Sequence, residues 1–131
     1  MTDITTKTSD ALLRFAIRLD GVVVALLGVA MVAFAADLST MTGLPTAVEY
    51  GVGAFSIAYG PVAFFLAARD EVRTSGLVLA VINGLTTVGM VLLVATGVAG
   101  LTATGEALAL AIGLYTAAIG GLQYLGVRRA S

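Results

Sequence analysis

Hydrophobic positions along this chain fall in four long runs broken by short polar stretches. A membrane-crossing helix needs about 20 mostly apolar residues. The cleanest runs predict helices over roughly 46–68, 75–98 and 105–127. The second of these stretches is uncharged from Thr74 to Gly105, too long for one crossing, and the Gly100-Leu101-Thr102-Ala103-Thr104-Gly105 turn signal divides it. The first run is uncharged only from Gly21 to Ala36 and is preceded by Arg14, Arg18 and Asp20. Extended back to about residue 12, with its arginines snorkelling to the headgroups, it predicts a helix over 12–36. Residues 1–10 read as a polar, Thr-rich tail. Segments such as Val88-Gly89-Met90-Val91-Leu92-Leu93-Val94 do not alternate, so barrel strands are excluded. The expected fold is all-α: a membrane four-helix bundle, up-down-up-down, forming one transmembrane domain over 11–131.

Charge then orients the helices. Lys7, Arg14 and Arg18 precede the first span, Arg69 and Arg73 lie between the second and third, and Arg128 and Arg129 follow the fourth. All the bases thus fall on one side, while the opposite loops hold Asp37, Glu49 and Glu106. The positive-inside rule places both termini in the cytoplasm and the chain in the cytoplasmic (inner) membrane. One rival reading takes Ala33-Phe34-Ala35 as a signal-peptide cleavage site; Asp20 beside the apolar run and the long tail favour a retained span.

Composition narrows the chemistry. Of 131 residues 59% are hydrophobic and 11% charged, with a net charge of -1, which excludes a disordered chain and a nucleic-acid binder. There is no Cys, His or Trp. A disulfide, a thiolate nucleophile, a bis-histidine haem and an ordinary zinc site are therefore excluded. No catalytic, cofactor or metal site is expected, and no dinucleotide fingerprint, P-loop or nucleophile elbow is present.

Small residues dominate the spans. Gly21 and Gly28, Gly53 and Gly60, and Gly113 and Gly120 each sit seven apart, a spacing that keeps each pair on one helix face. In lipid such faces permit the close approach that drives helix association. Pro61 frees the Ile57 carbonyl and predicts a kink. The last span overlays the second at an offset of 60, matching Gly53 with Gly113, Ala58 with Ala118, Gly60 with Gly120 and Arg69 with Arg129. At an offset of 63, Asp20-Gly21 in the first span meets Asn83-Gly84 in the third. A duplicated helical hairpin is one reading; chance similarity of Gly/Ala-rich helices is the other.

Four polar residues stand inside the apolar runs. Counted at about 1.5 Å per residue from the outer helix ends, Tyr59 lies about 20 Å down, Asn83 about 23 Å, Asp20 about 24 Å and Gln123 about 27 Å. A carboxylate at such depth costs a few kcal/mol unless paired or hydrated. The layer reads either as interhelical glue or as a cytoplasm-facing polar cavity that binds a ligand or passes a proton. Asp37, Glu49 and Glu106 read as solvated acids rather than a cation site. Tyr50, Tyr124 and Phe34 read as interfacial anchors, and Phe55, Phe64, Phe65 and Tyr115 as packing residues.

Leu13-Arg14 to Leu19-Asp20-Gly21, Thr42-Gly43-Leu44-Pro45, and Leu122-Gln123-Tyr124-Leu125-Gly126-Val127-Arg128-Arg129 open and close the spans. With them the layout resembles a large group of small four-helix membrane proteins of high-GC actinobacteria. Gly43-Leu44-Pro45 with Glu49 also looks distantly like the DoxX group, whose members serve as membrane subunits or oxidoreductase partners. Three functions stay open: an accessory or scaffold subunit of a larger membrane assembly, a small oligomeric transporter or channel using Asp20, Asn83 and Gln123, and a lipid- or quinone-binding protein. The expected partners are membrane lipid and other subunits or a second copy, with no nucleic acid.

Overall fold

Lipid offers the backbone no hydrogen-bond partners, so each apolar run closes its own hydrogen bonds as a helix. A computed structural model of the chain describes residues 2–130, with side chains from Asp10 onward; Lys7 lies outside the described side chains. Its elements are α1 (Thr2–Ala33), α2 (Ala35–Thr42), α3 (Thr46–Ala67), α4 (Arg73–Thr96) and α5 (Ala103–Arg129). Helices α1, α3, α4 and α5 are each long and apolar enough to cross a membrane, which makes this a multi-pass, all-helical bundle. The helical backbone reaches back through the stretch read as a tail. The first run also breaks at Phe34, just short of the expected end at about residue 36, and α2 forms a separate short helix largely beyond that end.

Glycine and proline set the other breaks. Gly43 adopts φ +84 and its N–H caps Ser39 O, and Pro45 then opens α3. Gly97 ends α4 at φ +66, and Thr102 caps α5 by accepting from the Gly105 N–H at 3.0 Å. Before α4, Glu71 accepts from the Thr74 N–H at 3.0 Å, a bond that holds its carboxyl below the ordinary range. The turns at the end opposite the arginines then lock together. The Thr102 N–H donates to Thr42 O at 3.0 Å, and a Cβ on Gly105 would stand 2.5 Å from that same carbonyl oxygen.

The helices pair as two hairpins, α1 with α3 and α4 with α5, joined by α1 against α5. Their order across the bundle is therefore α3–α1–α5–α4, with no comparable pairing of α3 with α4 among the described residues. The inner pair holds the core: Leu13 and Ile17 of α1 are fully buried, with Ala63, Ala67, Val72, Leu79 and Val127 around them. Outer α4 is the least covered, with 11% of its apolar window buried against 33% for α5.

Both hairpins share one packing register. A Cβ on Gly53 would meet Gly28 O and Met31 Cβ; one on Gly113 would meet Thr87 O and Met90 Cβ. Gly60 faces Gly21 O, and Gly120 faces Ala80 O. The α3-to-α5 offset is thus 60, as the sequence suggested, but α1 corresponds to α4 at 59 rather than 63. Packing matches Gly21 with Ala80, so the Asp20-Gly21 and Asn83-Gly84 pairs lie one helical turn out of correspondence.

Arginines at the basic end obey the same register. Arg14 Nη1 donates to Ala67 O at 2.6 Å and Arg69 O at 2.7 Å, and Nη2 donates to Asp70 O at 3.2 Å. Arg73 Nε donates to Val127 O at 3.2 Å. Each arginine supplies donors to carbonyls at or just past the end of its hairpin partner, where the helix leaves few backbone N–H groups to meet them. Arg14 is therefore tied down rather than snorkelling freely. Arg14→Ala is expected to lower unfolding stability in detergent by about 1 kcal/mol, with Arg14→Lys recovering only part because an ammonium lacks the guanidinium fork. An unchanged midpoint in an SDS titration would contradict that role.

Candidate functional site

Asp20 lies at mid-span on α1, on the side that meets both neighbouring helices. Its carboxyl is 1% exposed. The Tyr59 hydroxyl of α3 donates to Oδ2 at 2.6 Å, and the Tyr115 hydroxyl of α5 donates to Oδ1 at 2.6 Å. Gln123 Nε2, also from α5, donates to Oδ2 at 3.4 Å. Asn83 of α4 completes the chain, donating from Nδ2 to Gln123 Oε1 at 2.9 Å and to Leu79 O at 3.1 Å. One carboxyl on the central helix thus links all four spans through neutral donors.

The structure brings together the four residues that depth alone had grouped: Asp20, Tyr59, Asn83 and Gln123. It adds Tyr115, which the sequence reading had placed among packing aromatics. The signal was present, since Tyr115 sits twelve residues into α5, about 18 Å from its outer end and level with Tyr59. Asp20, Asn83 and Gln123 are buried, while Tyr59 and Tyr115 are half-buried. Gln123 is 0% exposed, and no buried side-chain nitrogen or oxygen among the described residues lacks a partner. A physical consequence follows: exchange of a ligand at Asp20 would require the tyrosines to move, because their hydroxyls already occupy both carboxyl oxygens.

A second polar layer lies within the α4–α5 hairpin. Thr87 Oγ1 sits 2.7 Å from Thr116 Oγ1 and donates to Gly113 O at 3.1 Å. Thr86 returns its hydroxyl to Ile82 O. Small residues let these groups come close, as Gly21, Gly28, Gly53, Gly60, Gly113 and Gly120 all face a partner helix within the chain. Near this layer a shallow groove of about 270 Å³ runs between α4 and α5, lined by Ala80, Gly84, Ala117, Gly120, Gly121 and Tyr124 among others. It shares no residue with the Asp20 network.

The three acids at the end opposite the arginines separate. Glu49 is 3% exposed and accepts from the Thr42 hydroxyl at 3.0 Å, so it is not a solvated loop acid; Asp37 is exposed and Glu106 half-buried. Glu49 fixes the α2–α3 corner, because Thr42 in turn accepts from the Leu44 N–H at 3.2 Å. Among the described residues no three carboxylates gather to hold a metal ion. No protein-family model, no curated protein and no solved structure matches this chain.

Proposed function

We propose that this integral membrane protein is a non-enzymatic accessory or scaffold subunit of a larger membrane assembly. In this reading its basic end and both termini face the cytoplasm, as the grouping of all its arginines at one end favours. The observation that carries it is the open row of helices. The polar groups of the spans are consumed in tying the four helices to one another, while α3 and α4 remain at the two ends of the row with broad apolar sides. Such ends suit other protein, since helix packing in lipid needs close-fitting surfaces more than hydrophobicity. Affinity purification in a mild detergent, followed by native mass spectrometry, tests the proposal. The expected species is a stoichiometric complex larger than one 13.2 kDa chain. A chain that stays single at every detergent concentration would refute it.

A transporter or channel reading draws support from one feature. Asp20 has no Lys or Arg within ion-pair distance among the described residues, and intramembrane acids often mark ion paths. Purified chain in vesicles should then pass protons or monovalent cations, and Asp20→Asn should abolish the flux without unfolding the protein.

A further inference from the structure

The groove between α4 and α5 has apolar walls and a basic end. Leu77, Ala80 and Gly84 line its α4 side, and Ala117, Gly121 and Tyr124 its α5 side. Each set follows one stripe of its helix, and each stripe runs on at helical spacing into an arginine. On α4, positions 84, 80 and 77 lead to Arg73; on α5, positions 117, 121 and 124 lead to Arg128. The two stripes converge there. Arg73 Nε donates to Val127 O at 3.2 Å, which carries its guanidinium across to α5 beside the residue preceding Arg128. That bond uses Nε and leaves both Nη groups for other acceptors. Both arginines are exposed, and among the described residues neither the Arg128 guanidinium nor the Tyr124 hydroxyl has an intramolecular hydrogen-bond partner. Glu71, the acid nearest Arg73 in sequence, is held on the Thr74 N–H at 3.0 Å.

The shape of the groove limits what can fill it. Its volume is about 270 Å³, and the seven residues from Ala117 to Tyr124 give it a length of about 10 Å along the span. That is about two-thirds of one leaflet's share of a hydrocarbon core about 30 Å thick. Water would find few partners, because the Thr116 hydroxyl in the wall is already paired with Thr87 and Gly113 O. Another helix, about 10 Å across, is too broad to enter. A single hydrocarbon chain is narrow enough. A ligand that places such a chain here also places its polar group at the arginines, and two guanidinium groups call for an anion there.

We propose that the α4–α5 groove binds one anionic phospholipid from the leaflet on the arginine side. One acyl chain lies along the groove, and the phosphate accepts hydrogen bonds from Arg73, Arg128 and the Tyr124 hydroxyl. A zwitterionic lipid brings a cation that the arginines repel, so the site selects by headgroup charge. This site is independent of the subunit reading, which would survive its failure.

Native mass spectrometry of the full chain in a mild detergent tests the proposal by titration with phosphatidylglycerol and with phosphatidylcholine of identical acyl chains. At about fivefold per arginine, the first phosphatidylglycerol is expected to bind about twentyfold more tightly than phosphatidylcholine. Arg128→Gln, which breaks no intramolecular bond, should weaken phosphatidylglycerol about fivefold and leave phosphatidylcholine unchanged. Gly121→Leu fills the groove without strain, since a Cβ there meets nothing within 4 Å, and should weaken both lipids. Gly89→Leu is the matched control, with a Cβ equally unobstructed but outside the groove, and should weaken neither. Equal affinity for the two lipids would overturn the proposal. So would a phosphatidylglycerol affinity indifferent to Arg128→Gln, or one lowered as much by Gly89→Leu as by Gly121→Leu.

Discussion

Asp20→Leu is expected to destabilise the bundle by about 2 kcal/mol, the sum of three interhelical hydrogen bonds at the modest value such bonds have in membranes. The substitution strands the hydroxyls of Tyr59 and Tyr115 and the Gln123 amide, which between them come from both helices beside α1. Tyr59→Phe and Tyr115→Phe each remove one donor and leave the carboxyl with the others, so each should cost about 1 kcal/mol or less. Asp20→Asn keeps the shape but turns one acceptor into a donor facing a hydroxyl. It should fall between the tyrosine variants and Asp20→Leu. Reversible unfolding in mixed micelles, followed by helical circular dichroism, gives the order. The double variant Tyr59→Phe/Tyr115→Phe tests whether the two hydroxyls act independently on one carboxyl. A more stable Asp20→Leu protein would mean that the network costs more to bury than it returns, as buried ionic groups sometimes do. The role of Asp20 as the tie between hairpins would then be lost.

The legible parts of the fold are those that lipid makes obligatory. Four apolar runs must become four helices, and the Gly and Pro signals at Gly43-Leu44-Pro45 and Gly100–Gly105 mark where they turn. The Asp20 layer was legible because depth follows directly from residue count along a helix. Order across the bundle was not. Helices apolar on nearly all sides carry little facial signal, so nothing in the run of residues says that α3 and α4 stand apart. Register failed for a related reason. Matching Asp20-Gly21 to Asn83-Gly84 weighs two chemically similar dipeptides, whereas packing is set by Gly53 and Gly113 against Met31 and Met90. The break at Phe34 left no trace because Ala33 and Ala35 suit a continuing helix. Tyr115 was missed because an aromatic ring and its hydroxyl have opposite preferences in lipid, and only the position of Asp20 decides which prevails.

A steep packing penalty is expected at Gly28. A Cβ there would lie 2.6 Å from Gly53 O and 2.8 Å from the Ile57 nitrogen, both backbone atoms that cannot turn aside. Only separation of α1 from α3 relieves the clash, so Gly28→Ala should cost about 2 kcal/mol and Gly28→Val about 3 kcal/mol. Gly53→Ala meets Val32 Cγ2 at 2.9 Å and Met31 Cβ at 3.0 Å, side-chain atoms with some freedom, and should cost less. Gly113→Ala finds Met90 Cβ at 3.4 Å and should be close to neutral. The same unfolding titration ranks all four. The sharpest comparison is Gly28→Thr, which places in the first hairpin the residue that the second uses at Thr87. There the hydroxyl reaches Gly113 O and Thr116 because α4 and α5 stand further apart. Across the closer α1–α3 contact the same side chain has no room, and the bundle should open. Equal tolerance of threonine at both positions would show that the two hairpins do not differ in spacing, and that the glycine at position 28 is not required for close approach.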